Sequence, residues 1–500
     1  MGSIDAKHPE YERQEKRWRT VRDSIAGEDA VKARGEEYLP EPPAIAGLGV
    51  EWSTTSRSTR RSAYDWYMTF AEFPEIVSLA IDGYQGIIHS KDPQVILPTA
   101  LEHLIESATP TGESLQTLWT RITRGILEMG RVCILIDPRD GVDGELSLAM
   151  YEAPALTNWR ELNPAEGGGI VHAAMFETQA SHKDAFEVET VETILELLLL
   201  SEEEGGQPAY WSRRWRKVAG QGSTDTPQWV PGPWSRVTVR GQTLDEIPLT
   251  VINAQWNGTR YGMIPAYPLS KRAMAIYRKT ADYNRSIYTK SDPQIWIRGV
   301  LDKSEIPTTI GGSGIWSFKS ENAHAEYLDI DGQGIPLQRE AIDHEYERFY
   351  QEGGKLMDSG QAGRGESGSM MRRRHNINTV TLKSMTVHAG RTLEGVLRRA
   401  AELVGADPDE VRFAPDLDFA EPTLEPKDVL TLVETHNRGG PVAHETIHAF
   451  MHRGGLTELS FEEESALADA QRQADAGFLG RDDTQGGATE GDGDGGSADG

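Results

Sequence analysis

Apolar residues along this chain recur with two different periods, and the switches between them divide it into segments. Ser114–Met129 places Leu115, Leu118, Trp119, Ile122, Ile126 and Leu127 at helical spacing, so it predicts an amphipathic helix. Gly130 stops that helix. The continuous apolar run from Val132 to Ile136, closed by Asp137 and Pro138, predicts a buried strand. Residues 8–40 are charged and mostly helical in pattern, ending at Tyr38, Leu39 and Pro40. Residues 61–82 predict an aromatic-rich helix carrying Tyr64, Trp66, Tyr67, Phe70 and Phe73, with Pro74 restarting it at Glu75–Ile81. Residues 170–260 predict strands and long surface loops. Tyr210, Trp211, Trp215, Trp229 and Trp234 lie there among Gly, Pro and Arg. Such segments can be sugar or base platforms, but half-buried strand faces are the commoner outcome.

The downstream half is organised differently. Leu269–Lys290 forms one helical stripe through Ala273, Ile276, Tyr277, Thr280, Ala281, Asn284, Ile287 and Tyr288, ended by Asp292 and Pro293. Short strands and turns follow over 294–335. A second helix is predicted from Pro336 to about Met357, with its stripe at Ile342, Tyr346, Phe349 and Tyr350. Two long helices thus flank a compact β insert of about forty residues, within the size of a small domain. Residues 358–371 are rich in Gly and Ser and predict a mobile loop. Thr379–Val404 predicts a third helix, with Leu382, Met385, Leu393, Val396, Leu397 and Ala400 on one face. Val411–Phe413 and Leu417–Phe419 predict a returning strand. Residues 424–456 predict a helix, a break at Gly439, Gly440 and Pro441, a short second helix, and a stop at Gly454 and Gly455. Residues 477–500 carry one Arg against six acids and nine glycines, a composition that predicts disorder.

Composition narrows the classes. The 500 residues suffice for two to four domains and a sizeable core. With 51 Lys+Arg against 78 Asp+Glu the net charge is −27, which argues against a general nucleic-acid coater, because affinity for phosphate needs clustered cations. A hydrophobic content of 38% and a mean hydropathy of −0.51 predict a soluble chain. No apolar run approaches the ~20 residues of a membrane span, so no membrane partner is expected. The charged N-terminus lacks a signal-peptide core, which predicts a cytosolic context. A single cysteine, Cys133, excludes an internal disulfide and any cysteine-based zinc cluster.

Few motifs carry chemistry. His444, Glu445 and His448 match H-E-x-x-H, which on a helix puts both imidazoles on one face with the glutamate beside them; His452 extends that face. Against a zinc site stand Met451 and Gly454, where the extended motif needs Gly and His, and the shortness of the helix between its glycine breaks. With 13 histidines and many acids, a pattern this short carries a false-positive risk of roughly a few per cent. No phosphate-binding G-x-x-x-x-G-K-[ST] loop or G-x-S-x-G elbow is present, and the glycines of 311–314 and 360–368 lack the strand-then-helix setting of a dinucleotide fingerprint, so they read as turns. Ser460 and Glu463 form a capping box. The only concentrated cationic run is Arg372, Arg373, Arg374 and His375. It fits a solvated helix start or an intersubunit ion pair, or else a DNA-channel contact in which a flexible loop meets the phosphate backbone without reading sequence.

The order of elements resembles that of tailed-bacteriophage portal proteins, the head-to-tail connectors. Stretches that carry the resemblance are His8–Tyr11 through Trp18 and Arg22-Asp23; Gly35–Pro40; Arg61–Tyr64 leading to Gly86 and Lys91–Pro93; Gly130-Arg131 with Leu135–Pro138; and Asn158–Arg160. Later ones are Ala281–Tyr283, Ile297–Gly299, Ile310-Gly311, Tyr327–Ile335 and the crown-like 424–456. The H-E-x-x-H pattern is no portal feature and is read as accidental. The resemblance implies an α+β chain with an α/β wing at 1–265, a stem helix at 266–291, a small β clip at 292–335, and a returning stem helix at 336–357. After these come a tunnel loop at 358–376, a tunnel helix at 377–404, a wing return at 405–423, a helical crown at 424–475 and an acidic tail at 476–500. It implies a homo-oligomeric ring of about twelve subunits closed by a heterologous interface, at the portal vertex of a virion capsid and made in the bacterial host cytoplasm. Double-stranded DNA would pass non-specifically through the channel. Terminase would dock on the clip and supply the ATP-driven work, head-completion or adaptor proteins would replace it, and the major capsid and scaffolding proteins would contact the wing. No catalytic residue, metal ligand or cofactor is assigned on this reading, and the chain is not an enzyme. The alternatives are a zinc-dependent hydrolase using residues 444–448 and, less specifically, a carbohydrate-active enzyme using 210–234.

Overall fold

The computed structural model describes residues 3–46, 54–138, 145–162, 169–182, 184, 186–201, 208–218, 227–255, 258–291, 294–299, 322–328, 332–353, 368–417, 433–434, 438, 443–453, 457 and 459–479. The chain mixes helices with antiparallel sheets, an α+β architecture. It divides into one unit at Met1–Leu417 and a second at Asp418–Gly500. No helix among the described residues is long and apolar enough to cross a membrane.

The centre of the first unit is the predicted helix–strand pair. The helix is Leu115–Met129, and the side chain of Ser114 caps its first turn by accepting the N–H of Thr117. Gly130 ends it in the left-handed conformation at φ +81, and a Cβ there would sit 2.6 Å from the Met263 carbonyl. The chain turns directly into Arg131–Pro138, the middle strand between Leu249–Asn253 and Leu146–Glu152. Because both faces of this strand are covered, its sequence is continuously apolar rather than alternating. Cys133 is fully buried, and burial pushes its thiol up to about 11.

Around this core, stretches far apart in the sequence come together. His8 caps the helix Pro9–Ala26 and stacks on Trp159 at 3.8 Å between ring centroids. Trp18 donates its indole N–H to the Met129 carbonyl at 2.9 Å. Asp23 accepts from Arg34 at 2.8 Å and from the Tyr38 hydroxyl at 2.7 Å. Tyr64 donates to the Leu39 carbonyl at 2.8 Å, and Tyr67 to Asp282 at 2.7 Å. In the middle lies Arg131, 1% exposed. Its guanidinium lies 3.7 Å from the Tyr261 ring centroid, 5.1 Å from that of Trp159 and 5.9 Å from that of Trp18. It donates to the Thr259 carbonyl at 3.0 Å and to the Tyr261 hydroxyl. No carboxylate among the described residues forms an ion pair with it, so aromatic faces and neutral oxygens replace its water.

A six-stranded antiparallel sheet extends from this core. Its main path runs through Leu156–Glu161, Ile170–His182, Val188–Ser201, Pro208–Val218 and Gln228–Pro231, with Ser235–Arg236 added beside Pro208–Val218. The long helix Ala266–Ser291 packs among the N-terminal helices. Arg278 donates to the Tyr38 carbonyl at 2.6 Å, and Asn284 to the Phe70 carbonyl at 2.9 Å. The last long helix, Gly368–Leu403, buries Leu382, Met385, Leu393, Val396, Leu397 and Ala400, the predicted stripe. Arg412–Ala414 then pairs antiparallel with Gln94–Ile96. The expected continuation to Phe419 lies outside the described residues from 418 onward.

The second unit contains the helices His444–Arg453 and Phe461–Leu479. The capping box forms: Glu463 N–H donates to the Ser460 hydroxyl at 3.3 Å, and Ser460 N–H donates back to the Glu463 carboxylate at 3.0 Å. The predicted helix before Gly439 and the acidic tail beyond 479 lie outside the described residues, apart from 433–434 and 438.

Candidate functional site

The candidate site is the pair of long helices and what they carry. Ala266–Ser291 spans about 39 Å and Gly334–Glu352 about 28 Å at 1.5 Å per residue. Their contacts fix the direction: Arg272 meets Glu352, Lys279 meets Glu345, and Lys290 lies against Gly332, so they run antiparallel. Between them, Gln294–Arg298 pairs antiparallel with His324–Leu328, from Gln294 opposite Leu328 to Arg298 opposite His324. The expected turns at 300–321 lie outside the described residues.

One carboxylate ties the helices together. Glu345 is 6% exposed and receives Lys279 at 2.9 Å, Arg272 at 3.3 Å and Arg348 at 3.4 Å. Lys279 also donates to the Ala341 carbonyl at 3.1 Å, and Arg272 reaches Glu352 at 2.5 Å. Burial raises the Glu345 pKa, but the Lys279 hydrogen bond and the surrounding cations outweigh it, and the net direction is downward. The sequence reading found the apolar stripe of this helix and missed Glu345. A signal was available, since Glu345 sits i+3 from Ile342 and i−4 from Phe349, inside the buried face.

Arg372, Arg373, Arg374 and His375 lie within the helix Gly368–Leu403. The helix begins at Gly368 rather than at Thr379, so positions 368–376 of the expected 358–376 loop are helical. Extending a packed helix by further turns is cheap compared with nucleating one, so a Gly- and Ser-containing stretch joins it. The side chains of 372–375 lie outside the described residues, as do residues 354–367. Four consecutive helical positions spread around the helix, and only 372 and 375 share a face.

The zinc alternative meets a different arrangement. His448 Nε2 lies 3.0 Å from Glu464, and Thr457 donates to the same carboxylate at 2.6 Å, so this histidine joins the two helices of the second unit. His448 and His452 are 6.3 Å apart between ring centroids. Among the described residues, no three His, Cys, Asp or Glu side chains gather in metal-ligand geometry.

The Trp-rich segment forms half-buried strand faces, and cations cover several of its rings. Arg213 lies 4.5 Å from the Trp215 ring and 4.1 Å from that of Trp234; Lys217 is over Trp229 and Arg236 over Trp211. Beneath them Glu196 accepts from Trp215 at 2.6 Å and Arg213 at 2.7 Å, and contacts His172 at 3.1 Å. Burial opposes ionisation of Glu196, yet the hydrogen bonds from His172, Trp215 and Arg213 prevail and bring it down to about 2. A lowered carboxylate pKa stabilises the fold above the ordinary glutamate value and loses that contribution as pH falls toward 2. Glu196→Gln is expected to cost on the order of 2 kcal/mol at pH 7 and progressively less below about pH 4.5. Denaturant titrations at pH 7 and pH 3 check this; an equal cost at both pH values refutes it.

A family model described as a domain of unknown function, DUF4055, matches residues 265–404. That span begins at the first long helix and ends with the last. No curated protein matches the chain. Among solved structures, a chain in the virion of a native gene transfer agent particle is similar over 84% of this chain and 97% of its own, with 12% identity and a TM-score of 0.40. A likeness at that level decides nothing about this chain.

Proposed function

We propose that this chain is a phage portal subunit: one member of a ring at a single capsid vertex, through which the genome is packaged and ejected. The observation that carries the reading is the antiparallel helix pair Ala266–Ser291 and Gly334–Glu352 with a β hairpin between them. A stiff, internally ion-paired rod of this kind can line a channel when repeated about an axis. Its end offers a compact β surface to a terminase or a head-completion protein. The wing would be the large body before residue 266, and the Gly368–Leu403 helix would enter the channel region. The acidic balance suits a conduit that passes DNA without gripping it, and the missing nucleotide-binding loop suits a partner that brings its own ATPase.

Native mass spectrometry and electron-microscope images of the full chain test this. The expected result is a ring of about twelve 55.3 kDa subunits with a central hole. A monomer or dimer overturns it, and stoichiometric zinc that disappears in His444→Ala or His448→Ala would support the hydrolase instead. In the same system, replacing Arg372, Arg373 and Arg374 with Ala is expected to leave the ring intact and lower the DNA packaged per capsid. Loss of the ring would assign those arginines to assembly.

A further inference from the structure

The hairpin formed by Ile170–His182 and Val188–Ser201 outruns its sheet. Its neighbour Pro208–Val218 stops pairing at Thr193, and Leu156–Glu161 stops at Met175. Five further pairs, from Thr178 opposite Glu192 to His182 opposite Val188, continue as a two-stranded ribbon with which no third strand pairs among the described residues; Lys217 reaches its base at Glu192, 2.6 Å away. Counted from the last pair with its neighbours, this arm is about 17 Å long at 3.4 Å per residue, and its first two positions run beside Lys217 and Val218. Its positions 178–180 and 188–190 are exposed. At the tip, Asp184 accepts the N–H groups of Phe186 and Glu187, each at 2.7 Å, which holds Phe186 outward at 95% exposure. Val188 beside it is also exposed. Tip residues 183–190 carry Asp184, Glu187 and Glu189 against Lys183 alone. A two-stranded ribbon gains little stability by itself, and an apolar tip in water gains none.

The same sheet holds a surface of opposite character. A half-open groove of about 480 Å³ lies along Pro208–Val218 and Gln228–Pro231, lined by Arg214, Arg216, Val218, Val230 and Pro231. Val218 and Val230 are 47% and 49% exposed. Gly232 N–H donates to the Arg214 carbonyl at 2.8 Å, and a Cβ at Gly232 would sit 2.9 Å from that oxygen, so the turn at one end closes tightly. Arg214 is held by Glu177 at 3.1 Å. Arg216 is exposed and has no carboxylate partner among the described residues.

We propose that the arm tip of one subunit docks in this groove of the next copy of the same chain, with Phe186 against Val218 and Val230 and the tip acids facing Arg216. An acidic, apolar projection and a basic, apolar recess on one chain are complementary but not self-complementary. They form a heterologous contact, the kind that propagates around an axis and closes into a ring. The proposal rests on the ring reading above and names the contact that would close it.

Disulfide capture tests it on the full chain carrying Phe186→Cys and Val230→Cys together. The native Cys133 is buried and poorly ionised, so it does not compete. The expected result under mild oxidant is a covalent ladder of multimers on a denaturing gel, absent from either single variant. Mixing the two single variants should give a crosslinked dimer and nothing larger. Rings without any crosslink overturn the contact and leave the portal reading standing. Neither rings nor crosslinks overturn both. A bond formed only within one chain also overturns the contact. Arg216→Glu is expected to lower the crosslinked fraction several-fold, and Glu189→Arg in the same chain to restore it; no response to either charge change counts against the pairing.

Discussion

Arg131→Ala is expected to destabilise the first unit by about 3–5 kcal/mol, the range for breaking a buried polar cluster and leaving a cavity. The substitution strips a donor from the buried Thr259 carbonyl and another from the hydroxyl of half-buried Tyr261. It also removes a cation held 3.7 Å from the Tyr261 ring centroid, worth about 2 kcal/mol when water is excluded. The rings of Trp18, Trp159 and Tyr261 would face an empty space the size of a guanidinium. One effect opposes these. Burial disfavours the charged guanidinium and pulls its pKa down, so removing the charge recovers desolvation energy. Arg131→Met separates the two, since it fills part of the space without a charge. A Met variant as stable as the parent would show that packing alone matters at this position. Arg131→Lys keeps the charge but loses the planar fork that reaches Thr259 and Tyr261 together, and should recover less than half of the loss. Equilibrium denaturation measures all three, and an Ala variant within about 0.5 kcal/mol of the parent, the range of an ordinary surface substitution, sinks the idea.

That cage also marks where sequence reading stopped. The helix at 115–129, its Ser114 cap, the Gly130 stop and the Cys133 strand were legible because periodicity and capping are local. The stripe of the last helix was legible for the same reason. Arg131 was visible only as part of a familiar dipeptide. Its partners come from positions 18, 159, 259 and 261, and no local pattern brings those together. Phe186 was hidden for the converse reason: an apolar residue near a turn looks like any strand end until the neighbouring strands are seen to stop short of it. The start of the last helix was misjudged because Gly and Ser at 360–369 signalled a loop, while the helix carrying Leu382 and Met385 extends back to Gly368. The two helices flanking a β insert were legible as elements, because their apolar stripes and the intervening turn residues are local signals. What binds the helices to each other escaped because apolar stripes were counted and the acid within the stripe was not.

Glu345→Ala should therefore loosen that helix pair more than any other single change in it, by about 2–4 kcal/mol. Removing the central member of a buried ion cluster leaves the charges around it under-compensated. Lys279 and Arg348 would lose the carboxylate they share, Arg272 would keep Glu352, and among the described residues Lys279 would keep the Ala341 carbonyl. The lower end of the range applies because the three cations are 31–47% exposed at their side chains and water offsets part of the repulsion. The pH dependence has a definite sign. The cations hold the Glu345 carboxyl below its ordinary value in the folded chain. The stability it contributes is then fully present above the unfolded value, about 4.3, and fades as pH falls through the folded value. Glu345→Gln removes the charge while keeping the shape. Its cost should be large at pH 7 and shrink steadily below pH 4, as the parent's own carboxyl takes up a proton. Hydrogen exchange of the amides in Ala266–Ser291 and Gly334–Glu352 reads the effect where it arises, since opening of this pair exposes both helices. Faster exchange in both helices at pH 7, converging with the parent in acid, is the expected result. A difference that is the same at pH 7 and pH 3 would mean that Glu345 acts through packing and not through its charge.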